Sequence, residues 1–283
     1  MGQMIGDLTE AEARAIMRRL GKAEGELAAT LAIPLNWVIR EEAGHLRARN
    51  GTAFVMSTGE RVFGVTAHHV LEGWRTDRER HNVVGLQLGD QPFEPEGRHA
   101  IIAERPDIDL ATFQFTREEV RRTGPGKTVL EGYQSQWPPV PPEQGRGIYF
   151  AGFPGVEKIW LSRSEISFGA AYAGGIASSV SELDVSSLIE RDWIMPVEGG
   201  PPLPPENYDF QGISGGPMLT VIHYKGLLRT WALAGVIYQG PNTESDPDRA
   251  IPGLEIIKAR RAHFILPDGS LDVSRWDSLQ SFR

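Results

Sequence analysis

The 283-residue chain contains no cysteine. Neither disulfides nor zinc–thiolate clusters can staple this fold, and a reducing compartment is the expected setting. Nowhere do about 18 consecutive apolar residues occur, which excludes a membrane-spanning helix. The first twenty residues, MGQMIGDLTEAEARAIMRRL, mix Asp7, Glu10 and Glu12 with Arg14, Arg18 and Arg19 and hold no apolar run of signal-peptide length. Export by this segment is not expected, and the expected location is cytoplasmic, away from membranes. Positive charge is scarce as well. With 29 Lys and Arg against 37 Asp and Glu, the formal net charge is −8 and no basic stripe stands out. Such a chain repels a phosphate backbone, so nucleic acid is a poor partner.

What is present is the composition of an ordinary globular protein, 40% hydrophobic and 23% charged. That suffices for one large or two small domains with a sizeable core. Leu8, Ile16, Met17, Leu20, Leu27 and Leu31 recur at helical spacing, Thr9 and Glu12 stand in capping-box spacing, and Pro34 stops the run. Residues 1–35 therefore read as an N-terminal helical extension, with Gly21 and Gly25 marking a place for a break.

Beyond Asn36 the pattern changes to short segments rich in β-branched and aromatic residues. NWVIREEA, GTAFVMS, RVFGVTA, NVVGLQLG, LATFQF, GIYFAGF, IWLSRSEI, GGPMLTVIHY and TWALAGVIY each fit a strand. Many short strands at such spacing indicate an all-β sandwich or barrel. Proline cannot donate to a ladder, so Trp137–Gln144 (WPPVPPEQ) and Pro196–Pro205 read as loops. The first falls near the midpoint and is the candidate link between two β halves, 36–136 and 145–265. Residues 266–283 form a tail, with a short closing helix expected from Leu271 onward.

Three segments carry chemistry. Gly51-Thr-Ala-Phe-Val is followed by Val65-Thr-Ala-His-His-Val70; then come Asp107-Ile-Asp-Leu-Ala-Thr-Phe113 and Gly212-Ile-Ser-Gly-Gly-Pro217. A serine hydroxyl is a weak nucleophile until a base takes its proton, and the oxyanion it generates needs backbone N–H donors aimed at it. Glycines around Ser214 allow the sharp turn that aims them. Histidine is the usual base near neutral pH. A carboxylate accepting from its Nδ1–H fixes the tautomer that leaves Nε2 for the serine. The residues alone leave His68 and His69 open as the base, and Asp107 and Asp109 as the acid. The adjacent histidines lack a ligand-spaced partner of the HExxH kind, so neither metal nor cofactor is expected.

Together these segments resemble the three signatures of chymotrypsin-like (trypsin-fold) serine peptidases, most nearly the intracellular bacterial type without disulfides. The resemblance spans roughly residues 36–265 and is dense only at the quoted segments. It implies an all-β fold of two antiparallel β-barrels, here with the added N-terminal helical segment. It also implies an endopeptidase acting on a protein or peptide through an acyl-enzyme. Aligned on the family run, His69 becomes the base, Asp109 the acid and Ser214 the nucleophile, with the oxyanion held by the N–H groups of Gly212 and Ser214. The order His, Asp, Ser matches that family, whereas α/β-hydrolases and subtilisins run differently. The separations of 40 and 105 residues stand near the family's roughly 45 and 93.

The resemblance places one wall of the substrate cleft at Tyr238, Gln239 and Gly240, where an extended peptide would pair with a strand edge. Primary specificity would fall at Tyr208, with Asp209 beside it. Two positions depart from the pattern. His68 replaces a residue that is usually small, and Ile213 stands where secreted members carry an aspartate that pairs with a new N-terminus after cleavage. Isoleucine cannot make that ion pair, so control is expected from the N-terminal helix or the long loops.

Three other readings compete. Gly212-Ile-Ser-Gly-Gly216 also fits the G-x-S-x-G elbow of α/β-hydrolases, with Asp246, Asp248 and His263 downstream, but that fold needs a helix directly after the serine. Gly124-Pro-Gly-Lys-Thr128 resembles the end of a phosphate loop, with Arg121 where the motif needs glycine. A catalytically silent trypsin-fold module that binds an extended peptide or partner protein is the alternative from another class.

Overall fold

The computed structural model describes residues 9–41, 44–132, 137–162, 165–189, 194–195, 208–224, 228–241, 255–274 and 276. The expected loop Pro196–Pro205 and the candidates Asp246 and Asp248 lie outside them.

The chain begins with α1 (Glu10–Leu31), capped as its sequence demands: Thr9 Oγ1 accepts from Glu12 N–H, and the Glu12 carboxylate accepts from Thr9 N–H at 2.8 Å. The break expected at Gly21 and Gly25 does not occur. Gly25 instead marks a close approach, because a Cβ there would stand 2.3 Å from a Tyr172 ring carbon. Gly25→Leu is expected to force the helix off that ring and destabilise the protein by about 1–3 kcal/mol, read as a lowered denaturant midpoint.

The helix runs into β1 (Ala32–Arg40) without a loop, Pro34 falling inside the strand. Then follow β2 (Leu46–Ser57), β3 (Val62–Thr66), α2 (His68–Arg80), β4 (Asn82–Leu88), β5 (Gln91–Pro92), β6 (Ile101–Arg105), β7 (Leu110–Gln114), α3 (Arg117–Val120) and β8 (Leu130–Glu131). These strands form one sheet, ordered β5-β4-β1-β2-β3-β7-β6, with β8 beside β2. Residues 137–146, which carry the proline-rich link, hold no helix or strand.

Beyond the link come β9 (Gly147–Gly152), β10 (Lys158–Trp160), β11 (Ile166–Phe168), β12 (Ala171–Val180), β13 (Asp184–Ile189), β14 (Ile194–Met195), β15 (Pro217–Tyr224), β16 (Leu228–Gln239) and β17 (Glu255–Arg261). β13-β17-β16-β15-β9-β12 pair in that order, and β12 returns onto β13, closing a six-stranded barrel.

The protein is therefore mostly β, with three α-helices among the described residues. Of the two antiparallel β-barrels expected, one is seen closed. Among the described residues no ladder joins β5 to β6, and the first sheet stays open. β5 is two residues long and includes Pro92, which has no N–H to extend a ladder.

Closure of the second sheet depends on a strand the sequence hides. β12 reads AYAGGIASSV, poor in strand-forming side chains. Its glycines admit neighbours that any Cβ would displace: at Gly174 it would meet the Tyr149 ring at 2.9 Å, and at Gly175 the Ser187 hydroxyl at 2.4 Å. IWLSRSEI, expected as one strand, divides into the antiparallel pair β10 and β11. Of the tail, Leu271 bridges back to Ile265, and residues 277–283 lie outside the described set.

One apolar cluster spans the molecule. It joins Ala28 and Leu31 of α1 and Phe54, Met56, Phe63 and Val65 of the open sheet to Ala151, Tyr172 and Leu219 of the barrel. Lys127, in the glycine-rich stretch that resembles the end of a phosphate loop, is half-buried at this junction. Its Nζ donates to Ala29 O at the end of α1 at 2.9 Å and lies over the Phe153 ring. Burial lowers its ammonium to about 8, with Asp90 opposing. From about pH 8 to 10 the unfolded chain then holds more protons at this position than the folded one, so its contribution to stability rises with pH. Comparing the pH dependence of denaturant midpoints with Lys127→Met checks this, since the variant should lack that rise. No helix of the described residues is long and apolar enough to cross a membrane.

Candidate active site

Ala67 follows the last residue of β3, Thr66, and stands at the N-cap of α2, so α2 opens on His68 and His69. Successive helical side chains diverge by about 100°, and the two imidazoles take different partners. His68 Nδ1 lies 2.8 Å from Glu104 Oε1. Arg75 grips the same carboxylate at 2.6 and 2.8 Å. Burial pushes the Glu104 carboxyl up, but bonds from Arg75 and His68 outweigh it and hold the group below the usual range.

His69 Nδ1 lies 2.7 Å from Asp109 Oδ2, and Asp109 Oδ1 accepts from the His69 backbone N–H at 2.9 Å. An imidazole that donates Nδ1–H to a carboxylate presents the lone pair of Nε2 outward. The side chain is 47% exposed. Asp109 takes a left-handed conformation, φ 54°, just before β7, a region that aspartate enters more readily than most residues. Asp107 is instead closed onto Arg105 at 3.0 and 2.6 Å. That hydrogen bond is the main cause of its lowered carboxyl pKa. Geometry thus joins His69 to Asp109, and sends His68 and Asp107 to other partners.

Ser214 sits in the turn entering β15. Strand follows it directly at Pro217, so the helix required by the α/β-hydrolase elbow is missing and that reading is overturned. His263, its candidate base, is buried in a short 3₁₀ turn. The Ser214 turn is packed on Thr52 of β2 and on Thr66 at the end of β3. Thr52 N–H donates to Ser214 O at 2.8 Å, and a Cβ on Gly215 would stand 1.9 Å from Thr52 O and 2.4 Å from Thr66 Oγ1. Ser214 therefore lies beside the strand end three residues before His69. Among the described residues no hydrogen bond yet joins Ser214 Oγ to His69.

The carbonyls around Ser214 are all engaged. Gln211 O accepts from Gly155 N–H at 2.7 Å, and Gly212 O from Thr52 Oγ1 at 2.8 Å. Ile213 O accepts from Gly216 N–H at 2.9 Å. In a planar trans peptide the N–H points opposite its carbonyl. Holding Gln211 O and Ile213 O therefore aims the N–H groups of Gly212 and Ser214 the other way, and among the described residues neither meets an acceptor. Gly212 has φ 108°, and a Cβ there would fall 2.4 Å from Asn50 Nδ2 and 2.6 Å from Phe153 O. Only glycine fits. Ile213 is buried among Phe210, Met218 and Tyr208, which contributes about 1.5–3 kcal/mol to seating the turn.

The predicted cleft residues divide. Tyr208 is buried; its hydroxyl donates to Glu157 Oε1 at 2.7 Å and its ring meets Phe210 edge-on. Burial, then Glu157, pushes that hydroxyl far up. Asp209 is exposed and accepts from Gln211 N–H at 2.8 Å. Tyr238 lies against the Arg260 guanidinium, 4.8 Å from ring centre. Burial, followed by Asp184, pushes its hydroxyl up to about 12. Gln239 is exposed, and Gly240 borders the serine turn, where a Cβ would stand 3.2 Å from Phe210. The β15–β16 ladder ends with Pro217 opposite Val236, so beyond Ile237 β16 is paired only on its β17 side among the described residues.

Two residues escaped sequence reasoning. Thr52 was legible only as part of GTAFV, with no role attached. Arg260, in β17, reaches across to the open sheet: its Nε donates to Ile108 O at 2.8 Å, next to Asp109, while Nη1 meets Asp184 at 2.8 Å. No local pattern marks such a contact.

No family model matches the chain, and no curated protein matches it. Among solved structures it is similar to one described as "Aromatic interactions drive the coupled folding and binding of the intrinsically disordered Sesbania mosaic virus VPg protein". The identity is 13%, over 83% of this chain and 94% of that one, with a TM-score of 0.36. At that level the likeness places the chain in no family.

Proposed function

We propose that the chain is a serine endopeptidase of the chymotrypsin-like type, working in a reducing cytoplasm, with Ser214 as nucleophile, His69 as general base and Asp109 as the orienting acid. The observation that carries this is the paired contact of Asp109 with the His69 ring and backbone N–H, at 2.7 and 2.9 Å, beside a serine turn with two N–H groups that meet no acceptor among the described residues. His69 Nε2 takes the Ser214 proton as Oγ attacks the scissile carbonyl. The N–H groups of Gly212 and Ser214 receive the oxyanion. His69 then protonates the leaving amine, and water hydrolyses the acyl-enzyme by the same steps. The side of Tyr238–Gly240 away from β17, unpaired among the described residues, suits pairing with an extended peptide. On this reading the open sheet and the barrel stand for the two halves of the trypsin-like fold.

A fluorophosphonate probe tests the proposal. Covalent attachment at Ser214, lost in Ser214→Ala, is expected. The missing Ser214–His69 hydrogen bond favours a second reading, a silent module that binds an extended peptide or partner protein. A folded protein that the probe leaves unlabelled would establish that alternative. Histidine variants separate the neighbours: with a peptide substrate, His69→Ala should lose nearly all turnover, whereas His68→Ala should keep kcat within about threefold, since His68 is turned to Glu104 and away from Asp109 and such a side-chain contact is worth about 1 kcal/mol or less.

A further inference from the structure

We infer that Thr52, in the open sheet, is a positioning residue that sets the oxyanion site across the seam between the two halves; this rests on the peptidase reading above. Thr52 is fully buried and all its polar groups are used. Its hydroxyl donates to Gly212 O at 2.8 Å and accepts from Phe153 N–H at 3.0 Å. Its backbone N–H donates to Ser214 O at 2.8 Å, and its carbonyl accepts from Thr66 Oγ1 at 2.7 Å.

Thr52 therefore holds the carbonyl on each side of the Ile213–Ser214 peptide, whose N–H is one of the two proposed oxyanion donors. Gly212 makes this anchor consequential. Without a Cβ it can rotate between backbone states at little steric cost, and the Thr52 hydroxyl fixes its carbonyl. Asn50 strengthens the same corner by donating from Nδ2 to Phe153 O at 2.5 Å, against which Gly212 is packed. The open sheet thus supplies the proposed His69 and Asp109, and through Thr52 it also sets the peptide geometry of a nucleophile turn that belongs to the barrel.

The two roles of Thr52, structural and positional, separate in kinetics. Thr52→Val keeps the shape and removes the hydroxyl, while Thr52→Ser restores it. With a peptide substrate and active sites counted by fluorophosphonate titration, Thr52→Val should lower kcat by about 10- to 100-fold, less than the roughly 10²–10³ for losing an oxyanion donor outright. KM should stay within about twofold, because the donors act on the transition state. Affinity for a peptide aldehyde, which forms a tetrahedral adduct, should fall in parallel with kcat, and Thr52→Ser should recover most of both. If the valine variant does not fold, Thr52→Cys replaces it, matching serine in shape with a much weaker donor; it should fall below Thr52→Ser in kcat.

A folded Thr52→Val with kcat and aldehyde affinity unchanged, or equal rates for the serine and cysteine variants, overturns the inference while leaving the peptidase reading intact. A wild-type protein silent toward both probe and substrate overturns the peptidase reading, and this inference falls with it.

Discussion

Ser214→Ala is expected to reduce kcat for peptide hydrolysis by about 10⁶-fold if the proposed peptidase reading holds, the loss measured when the triad nucleophile of a serine peptidase is removed. The fold should survive, because the Ser214 backbone carries the structural load: its carbonyl accepts from Thr52 N–H and the next residue, Gly215, donates to Ile237 O. The side-chain oxygen makes no hydrogen bond among the described residues. Peptide binding should therefore persist in the variant, and an isotherm with unchanged affinity beside absent turnover is the expected pair of results. Turnover retained in Ser214→Ala would rule out the proposed nucleophile.

Asp109→Asn is expected to lower kcat about 10⁴-fold, through the wrong imidazole tautomer. The substitution is close to isosteric, and asparagine tolerates the left-handed conformation that Asp109 occupies. An amide oxygen can still accept from the His69 backbone N–H where Oδ1 does now at 2.9 Å. That orientation turns the amide NH₂ toward Nδ1, and the ring then places its proton on Nε2, where a base needs a lone pair. Steady-state kinetics on the folded variant measures the effect. A near-normal rate would move the acid to Asp107, whose bidentate contact with Arg105 would then have to open.

The pairing of His69 with Asp109 was legible because each sits in a short run with a directional consequence: Thr-Ala-His-His at a strand end and Asp-Leu-Ala at a strand start. Neighbouring candidates were separated by partners the sequence could not rank. Glu104, itself held by Arg75, claims His68, and Arg105 claims Asp107, through contacts set by sheet register and helix phase. Strands rich in Val, Ile and Phe could be read directly, whereas β12 could not, since its small residues record what approaches it rather than what it prefers. β17 was hidden in a charged run, EIIKARR, whose Arg260 is buried by crossing to Ile108. α2 was missed because its apolar face is narrow: Val70, Leu71 and Trp74 are buried, with Asp77 accepting from Trp37 Nε1 at 2.7 Å. Closure of only one sheet was also illegible, because a barrel is decided by whether edge strands meet, and no single strand encodes that.

The burial of Ile213 has a consequence for the timing of assembly. An apolar anchor is satisfied as soon as its neighbours collapse around it, and it waits for no liberated ammonium group. The turn around Ser214 is therefore seated by the collapse of Phe210, Met218 and Tyr208 onto Ile213.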